Sequence, residues 1–250
     1  MPYPGEMKGY DATTYGERIA DIYDELYEGM LDTESTVEFL AELAGKGPVL
    51  ELAVGTGRVA IPLSGRGIDV RGIDSSESMV QRLRAKEGGD LIPVTMGDFA
   101  EVGVEGRFTM VYVVFNTLFA LTSQEEQVRC FRNVAEHLEE DGFFVVEVFV
   151  PDVARFDRGQ RVSADRVEVD RVVVEASLHD PVGQRVVSQH VVIAESGNRL
   201  VPVHIRYAWP SELDLMARLA GLRLKDRWGG WRREYFTAES SRHVSVYEKA

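Results

Sequence analysis

The chain holds a single cysteine, Cys130, in 250 residues. That excludes an intrachain disulfide framework and a cysteine-rich zinc site. Basic residues are scarce as well: 28 Lys and Arg stand against 41 Asp and Glu, a formal net charge of −13. So acidic a chain is a poor general binder of nucleic-acid phosphates or anionic membranes. No apolar run approaches the roughly 18 residues of a membrane span. Residues 1–29 hold no apolar core of a signal peptide. The five histidines, His137, His179, His190, His204 and His243, fall in separate segments, so no metal constellation is read. The expectation is a cytoplasmic globular protein with no nucleic-acid or membrane partner. A homodimer stays open.

What is present fits an ordinary folded chain. Hydrophobic residues make up 44% and charged ones 28%, and the length suits one α/β core with an appended part. Residues 48–150 alternate apolar strand runs with helical periods. VLEL, IDVRGID, LIPVTMGDF, FTMVYVVFN and GFFVVEVFV read as strands. SSESMVQRLRAKE and SQEEQVRCFRNVAEHL read as helices, the second opened by a Ser123/Glu126 capping box. Strand and helix in alternation predict a parallel sheet with helices on both faces. Upstream, a helix is expected over 13–29 and another over 34–45 with Thr33 as its N-cap. After Pro151 the pattern turns β-like over 167–178, 184–195 and 199–209. Val201, Val203, Ile205, Tyr207 and Trp209 are expected on one face of a sheet whose other side is wet. A helix over 211–222 and two closing strands complete the chain.

The chemistry concentrates at Glu51-Leu-Ala-Val-Gly55-Thr-Gly57, where a strand turns into a helix. Glycines there permit positive φ and close approach of a ligand. The helix start offers free N–H groups to an anion. Asp74 ends the next strand, seventeen residues after Gly57, where a carboxylate can accept from two ribose hydroxyls. Asp98 follows Gly97 at the third strand end, beside Phe99. A carboxylate there can accept from an adenine amine while the ring packs on the base. Together they outline a nucleoside site at the carboxyl ends of a parallel sheet. A nicotinamide dinucleotide in an oxidoreductase is the alternative, but Glu51 would stand beside its pyrophosphate. A ligand with an ammonium group suits that carboxylate better.

The segments VLELAVGTGR, RGIDSS, MGDF, VVFNTLFAL and EEDGFFVVEVFVP resemble the class I S-adenosylmethionine-dependent methyltransferases. The tyrosine-rich N-terminus and the β insertion resemble small-molecule members, such as sugar N-methyltransferases and glycine-N-methyltransferase-like enzymes. The resemblance implies a Rossmann-like, seven-stranded, mostly parallel sheet with an inserted antiparallel β cap. It implies S-adenosylmethionine as cofactor and methyl transfer to nitrogen or oxygen of a small molecule. A catalytically silent donor-binding protein is a second reading. By this likeness Glu51 orders the methionine amino group, and Ala53, Gly55 and Gly57 line the methionine portion. Ala53 departs from the usual glycine. Asp74 holds the ribose and Asp98 and Phe99 the adenine; Ser75, Met79 and Gly97 are counted in the donor site. Tyr23 and Phe115 also belong to the donor site. Tyr15 and Asn116 face the transferred methyl.

On the acceptor side Tyr10, Phe119, Arg232 and His243 are the candidates. Arg232 and Arg233 could grip an anion by paired donors. His137 reads as solvated on its helix. The expected division is a lid helix over 1–30, a core over 31–152 and 210–250, and a cap over 153–209.

Overall fold

Local pattern and packing agree along most of the chain. In order, the elements are α1 (Thr14–Ile19), α2 (Tyr23–Leu26), α3 (Thr33–Ala44), β1 (Val49–Leu52), α4 (Ala60–Ser64), β2 (Val70–Asp74), α5 (Glu77–Arg84) and β3 (Val94–Met96). There follow β4 (Phe108–Val113), α6 (Gln124–His137), β5 (Leu138–Phe149), β6 (Gln160–Val167), β7 (Arg171–Asp180), β8 (Arg185–Ala194), β9 (Gly197–Arg206), α7 (Pro210–Leu219), β10 (Leu222–Trp228) and β11 (Arg242–Lys249). The computed structural model describes residues 7–27, 29 and 31–250. Tyr3 and the remainder of 1–6, with residues 28 and 30 of the expected lid, lie outside the described residues.

The main sheet has the order β10-β11-β5-β4-β1-β2-β3. β3, β2, β1, β4 and β5 run parallel, and β11 and β10 close it antiparallel. The order reverses between β1 and β4, which leaves a crevice at their carboxyl ends, where α/β sheets bind ligands. Alternation on β1 builds both faces. Leu50 and Leu52 join Val111, Phe131 and Phe144 on the α6 side. Val49 joins Leu40, Leu63, Met110 and Tyr112 on the α3–α4 side. Glu51 falls on that second side, a carboxyl inside an apolar layer.

The second sheet, β6-β7-β8-β9, is antiparallel throughout. Its first strand, β6, was not expected from sequence. Its pattern is polar, and Val162 and Val167 stay exposed. The wet side expected of β9 is corrected. Val201 is buried on one face, and His204 and Arg206 are buried on the other. Arg206 donates to Gln127 on α6 and pairs with Glu212 on α7 at 2.6 Å, so the core covers that face. Trp209 leaves the strand and stands at the start of α7.

Three local expectations change. The 13–29 helix breaks into α1 and α2 around Ala20–Ile22. Asp32, not Thr33, caps α3, accepting from the Ser35 N–H. His137 is half-buried and bonded through both ring nitrogens, to the Asn133 and Val104 carbonyls, so it ties a loop to α6. The Ser123/Glu126 capping box is present in both directions.

Candidate active site

A cavity of about 390 Å³ lies at the crevice beyond β1, β2 and β4. Its floor is backbone. Gly55, φ +56°, has open space where a Cβ would stand, with only the Ala53 carbonyl within 4.0 Å. Its N–H donates to Asp74 Oδ2 at 2.7 Å, while Asp74 Oδ1 accepts from Ser76 N–H at 2.8 Å. Burial raises the Asp74 carboxyl above its ordinary range against these bonds. Below the floor, Glu51 is only 3% exposed and accepts from the Tyr112 hydroxyl at 3.0 Å. Burial pushes its carboxyl up to about 8. A carboxyl held that high ionises readily once a cation arrives.

The wall beyond β4 is strained. Phe115 and Asn116 both adopt the left-handed region, at φ +56° and +63°, which non-glycine residues adopt only under surrounding constraint. Glu147 imposes it: its buried carboxyl accepts from the Phe115 N–H at 2.6 Å, and its carbonyl from the Asn116 N–H. Asn116 Oδ1 in turn accepts from the Phe149 N–H at 2.6 Å. These bonds aim Phe115 into the cavity, where Tyr27 meets it edge-on at 4.8 Å and Tyr23 meets Tyr27 at 5.0 Å. Tyr15 joins through a 2.9 Å hydroxyl contact with Tyr27. Burial and the neighbouring tyrosines hold the Tyr15 hydroxyl protonated, far above its usual range.

The roof is the second sheet. Because side chains at paired positions share a face, the register Glu175↔His190, Ser177↔Ser188, Ser188↔Val203 presents one surface to the cavity. Glu175, Ser188, His190, Val203 and Ile205 line it, with Arg155 at the edge. A neighbouring cleft holding Asp98 and Glu126 shares Tyr10, Ser75, Phe99 and His204 with the cavity, so the two are continuous. A larger, more open cleft between α1, α5 and the β8–β9 turn holds none of the expected site residues.

Comparison with known proteins bears on this arrangement. Residues 49–142 match the family model described as a methyltransferase domain. The chain is 45% identical to the CcbJ methyltransferase from Streptomyces caelestis. That match covers 96% of this chain and 100% of that one, with a TM-score of 0.91. The chain belongs to the class I S-adenosylmethionine-dependent methyltransferases. It is also 28% identical to the cypemycin N-terminal methyltransferase of a Streptomyces species, over 96% of this chain and 99% of that protein. The sugar N-methyltransferase KedS8 from Streptoalloteichus shares the fold at 20% identity and a TM-score of 0.68, over 98% of this chain and all of that one. The methyltransferase thus uses S-adenosylmethionine as methyl donor. The open space at Gly55, the buried carboxyls of Asp74 and Glu51 and the tyrosine box fit a ligand with ribose hydroxyls, an ammonium and a sulfonium.

In this methyltransferase Tyr10, Tyr15, Tyr23, Ala53, Gly55, Asp74, Ser75, Met79, Phe99, Phe115 and Asn116 all border one cavity. Asp98 borders the adjoining cleft, where its Oδ1 also accepts from the Ala100 N–H. Ala53 takes φ +55°, the left-handed region, so the missing glycine costs backbone strain and not merely a methyl. Gly57 lies off the cavity. A Cβ there would meet Ile61 and Leu83 at about 3.0 Å, so this glycine serves helix packing. Gly97 donates its N–H to the Asp74 carbonyl and joins strand ends. Phe119 is fully buried behind Phe149, rings 5.0 Å apart.

Three acceptor-site expectations are corrected, Phe119 the first, since its ring packs into the core and does not line the cavity. Arg232 has a 71% exposed side chain and bonds Asp32 and Ser35 at the start of α3. Its neighbour Arg233 pairs with Glu42. Complementary charge on α3 draws both arginines away. His243 is wholly buried in β11, bonded to the Ser245 hydroxyl at 2.8 Å, and burial lowers its pKa to about 3. It is a neutral core group. Sequence reasoning missed Tyr27, Glu147, Arg155, Glu175, Ser188 and His190. Tyr27 carried a signal, its place in the tyrosine series; the others carried none.

Proposed function

We propose that this methyltransferase transfers a methyl group to a nitrogen of a small-molecule acceptor bound between the N-terminal segment and the second sheet. One observation carries the reading: the cavity is walled on three sides by α1–α2, the main sheet and the β7–β9 face. A folded macromolecule cannot enter it, whereas a small molecule or a chain end can. The relatives named for N-methylation support nitrogen over oxygen.

The donor supplies an electrophilic methyl on a sulfonium. Gly55 and Asp74 hold the ribose end, Asp98 and Phe99 the base, and Glu51 faces the ammonium through the floor. The Tyr15, Tyr27 and Phe115 rings surround the cationic centre, where aromatic faces favour positive charge. The remaining task is alignment, which supplies most of the acceleration in an in-line displacement. Asn116 and Phe149, locked together by their hydrogen bond, form the fixed wall against which acceptor and methyl line up. With its hydroxyl protonated, Tyr15 acts as a hydrogen-bond donor and positions, with no part as a base. Among the described residues no group of three or more His, Cys, Asp or Glu could hold a metal ion.

The test is transfer of labelled methyl from S-adenosylmethionine to a panel of small amines and matched alcohols, with and without EDTA. Labelled N-methyl product, unchanged by chelator and lost in Asp74→Ala, is the expected result. O-methyl product alone, or a requirement for added metal, overturns the reading.

A further inference from the structure

We propose that Glu175 anchors the amine acceptor: it receives the ammonium form, which releases one proton to solvent to free the lone pair that attacks the methyl, and it holds the alkylammonium product while S-adenosylhomocysteine leaves; the proposal rests on the nitrogen reading above. Glu175 sits mid-strand on the β7–β8 face that roofs the cavity, which Asn116 and Phe149 also line. The Ser177 and Ser188 hydroxyls both donate to its Oε1, at 2.8 and 3.0 Å, and touch each other at 2.9 Å. Its other oxygen accepts from no described residue. The two serines are buried, so the carboxylate is held in one place.

Its hydrogen-bond partners are neutral hydroxyls, as those of Glu17 are, but Glu17 ties α1 to α5 while Glu175 lines the cavity; most acids that hold structure together are paired with cations. Asp21, Asp24, Glu25, Glu212 and Asp214 each meet an Arg or Lys at 2.7 Å or less. No described Lys or Arg forms an ion pair with Glu175. His190, its cross-strand neighbour, is turned to Asp165, with Nδ1 at 3.1 Å. Burial alone would raise the Glu175 carboxyl. The two serine hydroxyls, with His190 and Arg155 nearby, outweigh it and hold the group below its usual range. An ionised, half-buried carboxylate fixed by hydroxyls gains most from a cation brought by the ligand. A neutral hydroxyl in that place donates one hydrogen bond but brings no charge, so the site favours amines over alcohols.

The donor brings two cations of its own, a sulfonium and an ammonium, and the experiment separates them from the acceptor: weakening of both S-adenosylmethionine and S-adenosylhomocysteine in Glu175→Gln assigns Glu175 to the donor ammonium and overturns the proposal. Protein saturated with S-adenosylhomocysteine is titrated with cyclohexylamine and with cyclohexanol, followed by saturation-transfer NMR. S-adenosylmethionine and S-adenosylhomocysteine affinities are measured by calorimetry. Wild type should bind the amine at least ten-fold more tightly, about 1.4 kcal/mol. In Glu175→Gln that preference should fall to within two-fold, with both donor-site affinities within two-fold of wild type. Glu175→Asp, which keeps the charge, should keep part of the preference and guards against a folding defect in the first variant. An amine preference that survives in Glu175→Gln overturns the proposal while leaving nitrogen transfer standing. Loss of S-adenosylmethionine affinity with S-adenosylhomocysteine affinity retained assigns Glu175 to the sulfonium and overturns it too. Wild type that prefers neither probe and yields only O-methyl product removes the anchor and the nitrogen reading together.

Discussion

Three carboxyls at or behind the cavity wall show how position decides the work of one functional group. Asp74 spends two oxygens on backbone N–H groups and so shapes the floor while lining the cavity. Glu147 is turned inward and holds the Phe115–Asn116 backbone in its left-handed turn. Glu51 accepts from the Tyr112 hydroxyl within an apolar surrounding whose burial pushes its carboxyl up to about 8. That raised value has a sign. The group's contribution to stability is complete below its unfolded value near 4.5 and is lost as pH rises through 8. Glu51→Gln should therefore leave stability unchanged near pH 4 and raise the Tm of the ligand-free protein progressively toward pH 8.5. Each ~1 kcal/mol is worth roughly 2–4 °C in a chain of this size. The same variant should bind donor more weakly and should abolish proton release on donor binding, read as buffer-dependent calorimetric enthalpy. Equal Tm values for wild type and variant at pH 8.5 would count against a buried, uncompensated Glu51.

At the scale of elements, α1 and α2 are bound to both halves of the molecule. Glu17 accepts from Ser76 and Ser78 at the start of α5, and Asp24 pairs with Lys86 and accepts from Thr56. Toward the second sheet, Asp21 takes both guanidinium nitrogens of Arg199, and Glu25 pairs with Arg171. Ile19 and Ala20 are buried with Met79 and Val201. The apolar part is small, and exposed pairs contribute only about 0–1 kcal/mol each and weaken with salt. We infer that the segment opens and closes over the donor. Amide exchange over residues 10–27 should slow when S-adenosylhomocysteine binds, and donor release should quicken in about 1 M salt. Equally slow exchange in both states would make α1–α2 a permanent part of the core.

For the molecule as a whole, the cavity belongs to no single layer. Its walls come from the main sheet, from β7–β9 and from α1–α2, so a ligand there ties the parts together. The coupling should appear as one unfolding transition that moves up when S-adenosylhomocysteine is present. At 100 times Kd the gain is about 2.7 kcal/mol, roughly 5–10 °C by the scaling above. Two transitions, with only one responding to ligand, would mean that the second sheet melts apart from the core and contributes no binding surface.

Neighbouring residues alone place the strand-end side of the cavity. Val49–Gly57, Asp74 and Asp98–Phe99 each sit at the end of a strand, so their places follow once the strands are recognised; helix caps and the βα alternation are local too. The roof of the cavity was decided by tertiary structure. Glu175 and His190 look like any charged positions in a half-wet strand, and only the β7–β8 register and the seating of that sheet over the crevice bring them to the cavity. Asp165 reaches His190 through an irregular β6–β7 register between Ala164 and Arg166. Arg232 and His243 went the other way: one was captured by acids on α3, the other buried by a strand pairing with β5. The break between α1 and α2 has no glycine or proline to announce it, because it follows from docking against two surfaces at once. Short-range chemistry is written in neighbouring residues. A site assembled from strands that meet only after folding is written in their pairing and packing.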